Sequence, residues 1–81
     1  MGDANIKDVS RDLAARVGWV ARACRMRAGL TQEQVAALCG RSQAWVSAAE
    51  QGRADVGSGL ALVHVIAEAA SAPTAADGSE P

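Results

Sequence analysis

The sequence predicts an all-α fold, and two observations carry that prediction. Apolar residues recur at spacings of three and four near the start of the chain, which places them on one face of a helix. This stripe consists of Ile6, Val9, Leu13, Val17, Val20 and Cys24. Both prolines, Pro73 and Pro81, follow the last apolar segment, and no run of alternating β-branched residues marks a strand. A chain of 81 residues has room for one small domain.

Helix 1 is predicted over residues 8–28. Asn5 and Ser10 are both typical N-cap residues, so we interpret residues 1–10 as an N-terminal extension that can include the start of this helix. Gly29 follows the last helical turn, where a glycine commonly ends a helix.

A capping box marks the next helix. Thr31 is followed three residues later by Gln34, so helix 2 is predicted to begin at Gln32. Gly40 is predicted to adopt a positive φ in the turn that follows. The residues expected to face inward are Val35, Ala36 and Cys39.

Helix 3 is predicted between the N-cap residue Ser42 and the terminating Gly52. Its predicted inward side consists of Trp45, Val46 and Ala49, and its other side of Gln43, Ala44, Ser47, Ala48 and Gln51. Two short helices joined by a three-residue turn that contains glycine are the outline of a helix-turn-helix motif.

The last third of the chain is predicted as a loop over residues 53–59, a helix 4 over residues 60–70 and a disordered acidic tail over residues 71–81. The residues of helix 4 expected in the core are Leu60, Val63, Ile66, Ala67 and Ala70. Helix 4 carries more apolar residues than a single buried face requires. We expect the additional residues, which form a second apolar strip, to lie in a homodimer interface. This strip consists of Leu62, Val65 and Ala69. The domain therefore comprises residues 11–70.

Charge is unevenly distributed along the chain, although the net charge is only −1. Seven arginines and three acidic residues lie between Arg11 and Arg53, which gives this segment a charge of +4, and residues 54–81 carry −4. A local positive face is sufficient for binding nucleic acid. No apolar stretch is long enough to span a bilayer and no signal-peptide pattern is present, so we expect a cytoplasmic protein without a membrane partner.

No catalytic or metal site is expected. Cys24 and Cys39 fall at apolar helical positions, which favours two buried free thiols over a disulfide or a zinc site. Their spacing from His64 matches no compact zinc pattern. With one histidine and no glycine-rich phosphate loop, the sequence predicts neither an enzyme nor a cofactor.

Between residues 17 and 53, the turn glycine, the helix caps, the core positions and the spacing of the helices all fit a single sequence motif. The residues that carry this pattern are Val17-Gly18, Arg22, Arg25, Gly29-Leu30-Thr31-Gln32-Glu33, Val35-Ala36, Gly40, Ser42, Val46-Ser47, Glu50 and Gly52-Arg53. The segment resembles the XRE family of phage-repressor and Cro-like helix-turn-helix proteins. The resemblance implies a compact, lambda-repressor-like bundle of four or five helices whose helix 3 enters the major groove of double-stranded DNA.

The resemblance also implies roles for single positions. The base-contacting positions are Gln43, Ala44, Ser47 and Ala48, and the phosphate-contacting positions are Gln32, Arg41, Ser42, Gln51 and Arg53. Glutamine can bind adenine through N6 and N7, and the start of a helix attracts anions. Because two of the base-contacting residues are alanines, we expect specificity to rest partly on DNA shape.

Arg25 and Glu50 match a structural ion pair of the family, and the alternative is a solvated surface pair worth under about 1 kcal/mol. Trp45 is expected to be partly buried beside the small Ala49, and the alternative is that it packs beside the DNA backbone. Trp19 lies off the main stripe and is either exposed or packed on helix 4.

The leading functional hypothesis is a sequence-specific DNA-binding regulator that represses transcription by occluding a promoter. One alternative is an antitoxin whose acidic tail holds a toxin. Another is a protein-interaction module on a helix-turn-helix fold that has lost DNA contact. The expected partners are double-stranded DNA, a second copy of the chain and, for the alternatives, a toxin or another protein. The resemblance also implies a nucleoid-associated protein.

Overall fold

The computed structural model describes residues 6–71, which form four α-helices and, within that range, no strand. The helices are α1 (Ile6–Arg27), α2 (Gln32–Cys39), α3 (Gln43–Glu50) and α4 (Val56–Ser71). The predicted all-α fold is confirmed. The tail predicted over residues 71–81 lies outside the described residues except for Ser71, which ends α4. No helix in the described range is long and apolar enough to cross a membrane.

Local hydrogen bonds set the boundaries of α2 and α3 as the sequence predicts. The Thr31 hydroxyl accepts a hydrogen bond from the Gln34 amide at 3.0 Å, and the Gln34 side chain accepts one from the Thr31 amide at 2.8 Å. Gly40 ends α2 with a φ of +66°. The Ser42 hydroxyl then accepts a hydrogen bond from the Trp45 amide at 3.1 Å and caps α3. The helix-turn-helix geometry is therefore encoded locally.

The core lies where all four helices meet. Its buried residues are Ala21, Val35, Ala36, Val46, Ala49, Leu62 and Ile66. Cys24, Cys39 and Trp45 are partly buried against this cluster, and both thiols are free. Desolvation raises the pKa of the Cys39 thiol, more than the nearby positive charge of Arg41 lowers it. This thiol therefore stays protonated at neutral pH.

The predicted apolar stripe of α1 is buried only in part, since Val17 and Cys24 are half-buried. Four of its residues are largely exposed: Ile6 (79%), Val9 (48%), Leu13 (47%) and Val20 (45%). The residues buried instead are Ala14, Gly18 and Ala21. The reason is the close approach of α1 to the end of α3, since a Cβ on Gly18 would lie 2.3 Å from the Ala49 carbonyl oxygen. Only small residues fit at this helix crossing.

α4 begins at Val56 rather than at residue 60, so the predicted loop over residues 53–59 is too long. The Asp55 carboxylate accepts hydrogen bonds from the Ser58 amide at 2.9 Å and from the Ser58 hydroxyl at 2.6 Å. These bonds cap the helix and lower the pKa of the Asp55 carboxyl. Gly59 lies within α4, and its missing side chain lets α1 pack closely there, since a Cβ on it would lie 2.8 Å from Cγ1 of Val17.

The contact of Gly59 with Val17 lies on the side of α4 that faces inward. Gly59, Leu62 and Ile66 are buried at helical spacing. Leu60, Ala67 and Ala70, predicted to lie in the core, are exposed, while Val63 is half-buried. Leu62 was predicted in the dimer interface, and this was wrong because its side chain is fully buried within the chain. The other two residues of that strip, Val65 and Ala69, are half-buried.

The substitution Gly18→Ala tests the close packing of α1 on α3. Alanine is the better helix former, yet the added methyl group would overlap backbone oxygens of Ala49 and Glu50 that cannot move separately. We expect thermal unfolding, followed by circular dichroism, to show a loss of about 2 kcal/mol. The matched control is Gly57→Ala, where a Cβ would meet only one atom within 4 Å, at 3.9 Å. This control should stabilise the protein by about 0.5 kcal/mol. Equal effects of the two substitutions on stability would contradict the close packing of α1 on α3 at Gly18.

Candidate nucleic-acid interface

α3 separates a buried side from an outward side. Val46 and Ala49 are buried, whereas Gln43 and Ala44 are exposed. Ser47 and Ala48, one turn further along, are half-buried. The four residues predicted to contact bases therefore follow one another on the side of α3 away from the core.

The end of α3 carries a buried carboxylate. Glu50 accepts hydrogen bonds from Nε of Arg25 at 2.6 Å and from Nη2 of Arg25 at 3.1 Å. The side chains of Glu50 and Arg25 are only 2% and 13% exposed. A solvated surface pair does not describe this geometry. Arg25 also donates a hydrogen bond from Nη1 to the Leu30 carbonyl at 2.9 Å, which ties the α1–α2 loop to the same point.

The carboxylate is also connected to the outward side of α3 through Gln32. Nε2 of Gln32 donates to Oε1 of Glu50 at 3.0 Å, and Oε1 of Gln32 accepts from Nε2 of Gln43 at 2.9 Å. Arg25, Glu50, Gln32 and Gln43 thus form a continuous chain of hydrogen bonds, which we call the Glu50 network. It joins α1, both ends of α3 and the start of α2.

The sequence gives a role to each member of the Glu50 network but does not predict that Gln32 touches Glu50 and Gln43. These pairs are separated by 18 and 11 residues, so no local pattern links them. The predicted residues come together only because α2 and α3 cross.

The Gln43 amide keeps unused hydrogen-bonding groups within this network. A primary amide has two N–H donors and one acceptor oxygen. One N–H of Gln43 donates to Gln32, and this bond orients the planar amide group. The second N–H and the oxygen of the amide remain available for other partners. Adenine presents the complementary N7 acceptor and N6 donor in the major groove. The amide of Gln32 likewise retains one N–H beyond its bond to Glu50.

Positive side chains flank α3 at both ends. At its start, the Arg41 guanidinium lies 4.6 Å from the ring centroid of the half-buried Trp45, which orients this cation. At its end, Nε of Arg53 donates to Oε1 of Gln51 at 3.1 Å, and Gln51 in turn donates to the Ser47 hydroxyl at 3.0 Å. Arginines at the two ends of α3 favour binding of a polyanion across it.

Within residues 6–71, no group of three or more His, Cys, Asp or Glu side chains is placed to hold a metal ion.

Removing the Glu50 carboxylate should be costly. In Glu50→Ala, Arg25 loses its partner while remaining 13% exposed, and Gln32 loses its acceptor. We expect a loss of about 3 kcal/mol, measured by denaturant unfolding at neutral pH. The control is Glu68→Ala, since Glu68 is 71% exposed and lies 3.9 Å from His64 on the surface of α4; its loss should be below about 0.5 kcal/mol. Similar values for the two variants would show that the network contributes no stability.

A comparison with known families found a matching sequence profile. The sequence profile of the helix-turn-helix domain matches residues 16–76, about three quarters of the chain. Comparisons with curated proteins and with solved structures gave no match. The profile covers α2, the turn and α3 together with the Glu50 network, and the chain therefore belongs to the helix-turn-helix domain family of DNA-binding proteins.

Proposed function

We propose that this protein is a sequence-specific transcription regulator of the XRE repressor type, which inserts α3 into the major groove of double-stranded DNA. The observation that supports this most strongly is the position of Gln43. Its amide is exposed at the start of a capped helix, is held by Gln32, and retains one donor and one acceptor.

In this proposal Gln43 binds an adenine in a bidentate manner. Ala44 and Ala48 offer methyl groups that can contact thymine, and Ser47 offers a hydroxyl, although that hydroxyl also accepts a hydrogen bond from Gln51. One strongly discriminating side chain gives a short sequence preference. The remaining specificity then comes from the shape and deformability of the DNA.

The phosphate contacts are assigned to residues around α3. Arg41 and Ser42 lie at its start, and Gln51 and Arg53 lie just after its end. Gln32 begins α2, where the unpaired backbone amides attract an anion. Arginine is suited to this role because its guanidinium matches the geometry of a phosphate.

Repression would follow from occlusion of a promoter by a dimer on a pseudo-palindromic site. We assign the contact between copies to α4, at Val65 and Ala69, without the buried Leu62. The antitoxin alternative depends on the tail over residues 71–81, which lies outside the described residues apart from Ser71. No observation favours it over the repressor.

DNA binding is tested by selecting bound sequences from random duplexes and measuring affinity by fluorescence anisotropy over a range of salt concentrations. We expect affinity to fall steeply with salt, because phosphate contacts release counterions. Gln43→Ala should weaken binding to the selected duplex by about 1–3 kcal/mol and leave binding to unrelated duplexes nearly unchanged.

Glu68→Gln serves as the control, since the Glu68 side chain is 71% exposed and is paired only with His64 of the same helix among the described residues. It should bind both duplexes as the parent protein does. A parent protein that binds no duplex even at low salt would support the protein-interaction alternative and refute the proposal.

A further inference from the structure

The exposed side of α1 carries a strip that the proposed function does not use. Trp19 is 67% exposed, Met26 is 60% exposed, and the exposed Arg22 lies between them. Spacings of three and four residues place all three side chains on one side of the helix. The exposure of Trp19 decides between the two placements that the sequence allowed for it.

Trp19 and Arg22 also line a cleft of about 440 Å³ that reaches Gln32 and Gln51. The cleft therefore connects α1 with the start of α2 and with the residue that follows α3. Both of these residues are among those to which we assign phosphate contacts. The α1 strip is thus continuous with the proposed DNA-binding surface.

The electrostatics of the cleft favour an anion. Its acidic residue, Glu50, is already paired with Arg25. Arg22 makes no hydrogen bond or ion pair with any residue in the range 6–71, and Gln32 and Gln51 contribute amide groups. An unpaired guanidinium beside amide donors is complementary to a phosphate.

We infer that Trp19 and Arg22 extend the DNA interface onto α1. Arg22 binds a backbone phosphate of the strand that passes Gln32 and Gln51, and the Trp19 indole packs against the adjoining deoxyribose. This inference rests on the proposed function, because it requires a duplex on α3. It adds a phosphate contact that carries no sequence information, so it raises affinity for all duplexes alike.

The salt dependence of binding tests this assignment. Each phosphate contact contributes about 0.9 to the slope of log K against log salt concentration. Arg22→Gln should therefore reduce the magnitude of the slope by about 0.9 and weaken selected and unrelated duplexes by the same factor. Arg22→Lys keeps the charge and should retain most of the slope.

Arg27→Gln is the matched control. It removes the same charge from the same helix, but Arg27 lines a different cleft, with Ile66 and Ala67 of α4. The slope of log K against log salt concentration for Arg27→Gln should equal that of the parent protein.

Trp19 is tested separately by fluorescence. In a Trp45→Phe background Trp19 is the one remaining tryptophan, and its fluorescence should change on titration with duplex.

The outcomes separate this inference from the proposed function. If the parent protein binds no duplex, the proposed function fails and this inference with it. If duplex is bound but Arg22→Gln leaves the slope unchanged, or lowers it no more than Arg27→Gln does, the inference is overturned and the function stands. A Trp19 fluorescence that responds to poly-glutamate but not to duplex would overturn it in favour of an acidic protein partner.

Discussion

The buried carboxylate of Glu50 constrains the arrangement of the three helices that form the proposed interface. A charge that is 2% exposed is tolerated only with strong partners, and here Arg25 supplies the compensating charge with two hydrogen bonds. Gln32 supplies a third donor. Because the donors come from α1 and α2 and the acceptor from α3, a rotation of any one helix would break at least one of these hydrogen bonds.

This polar arrangement depends on the packing beneath it. Gly18 lets α1 approach the last carbonyl groups of α3 closely, and that approach brings Arg25 within reach of Glu50. The same glycine that weakens the helix propensity of α1 therefore permits the ion pair. Gln32 then transmits the fixed position of Glu50 to the exposed amide of Gln43. An amide held in this way loses less conformational freedom on binding, which favours the base recognition that we propose for it.

Local signals in the sequence predict α2 and α3 well, because the Thr31 capping box, Gly40 and the Ser42 cap each act within a few residues. The start of α4 was missed because its cap, Asp55, is followed by two glycines that are typical of a loop. The buried faces of α1 and α4 depend on how closely the helices approach, and the spacing of large apolar residues does not reveal that distance. Within the Glu50 network, the resemblance implies the pair of Arg25 and Glu50, whereas the bonds from Gln32 to Glu50 and Gln43 depend on tertiary packing.

The central claim, that the buried Glu50 network presents a fixed Gln43 amide to DNA, is tested most directly by NMR of ¹⁵N-labelled protein titrated with a selected duplex. The account predicts that the side-chain amide signals of Gln43 and Gln32 shift most, together with backbone amides at the start of α2 and along α3. Unchanged Gln43 amide signals at saturation, with shifts confined to α4, would contradict it.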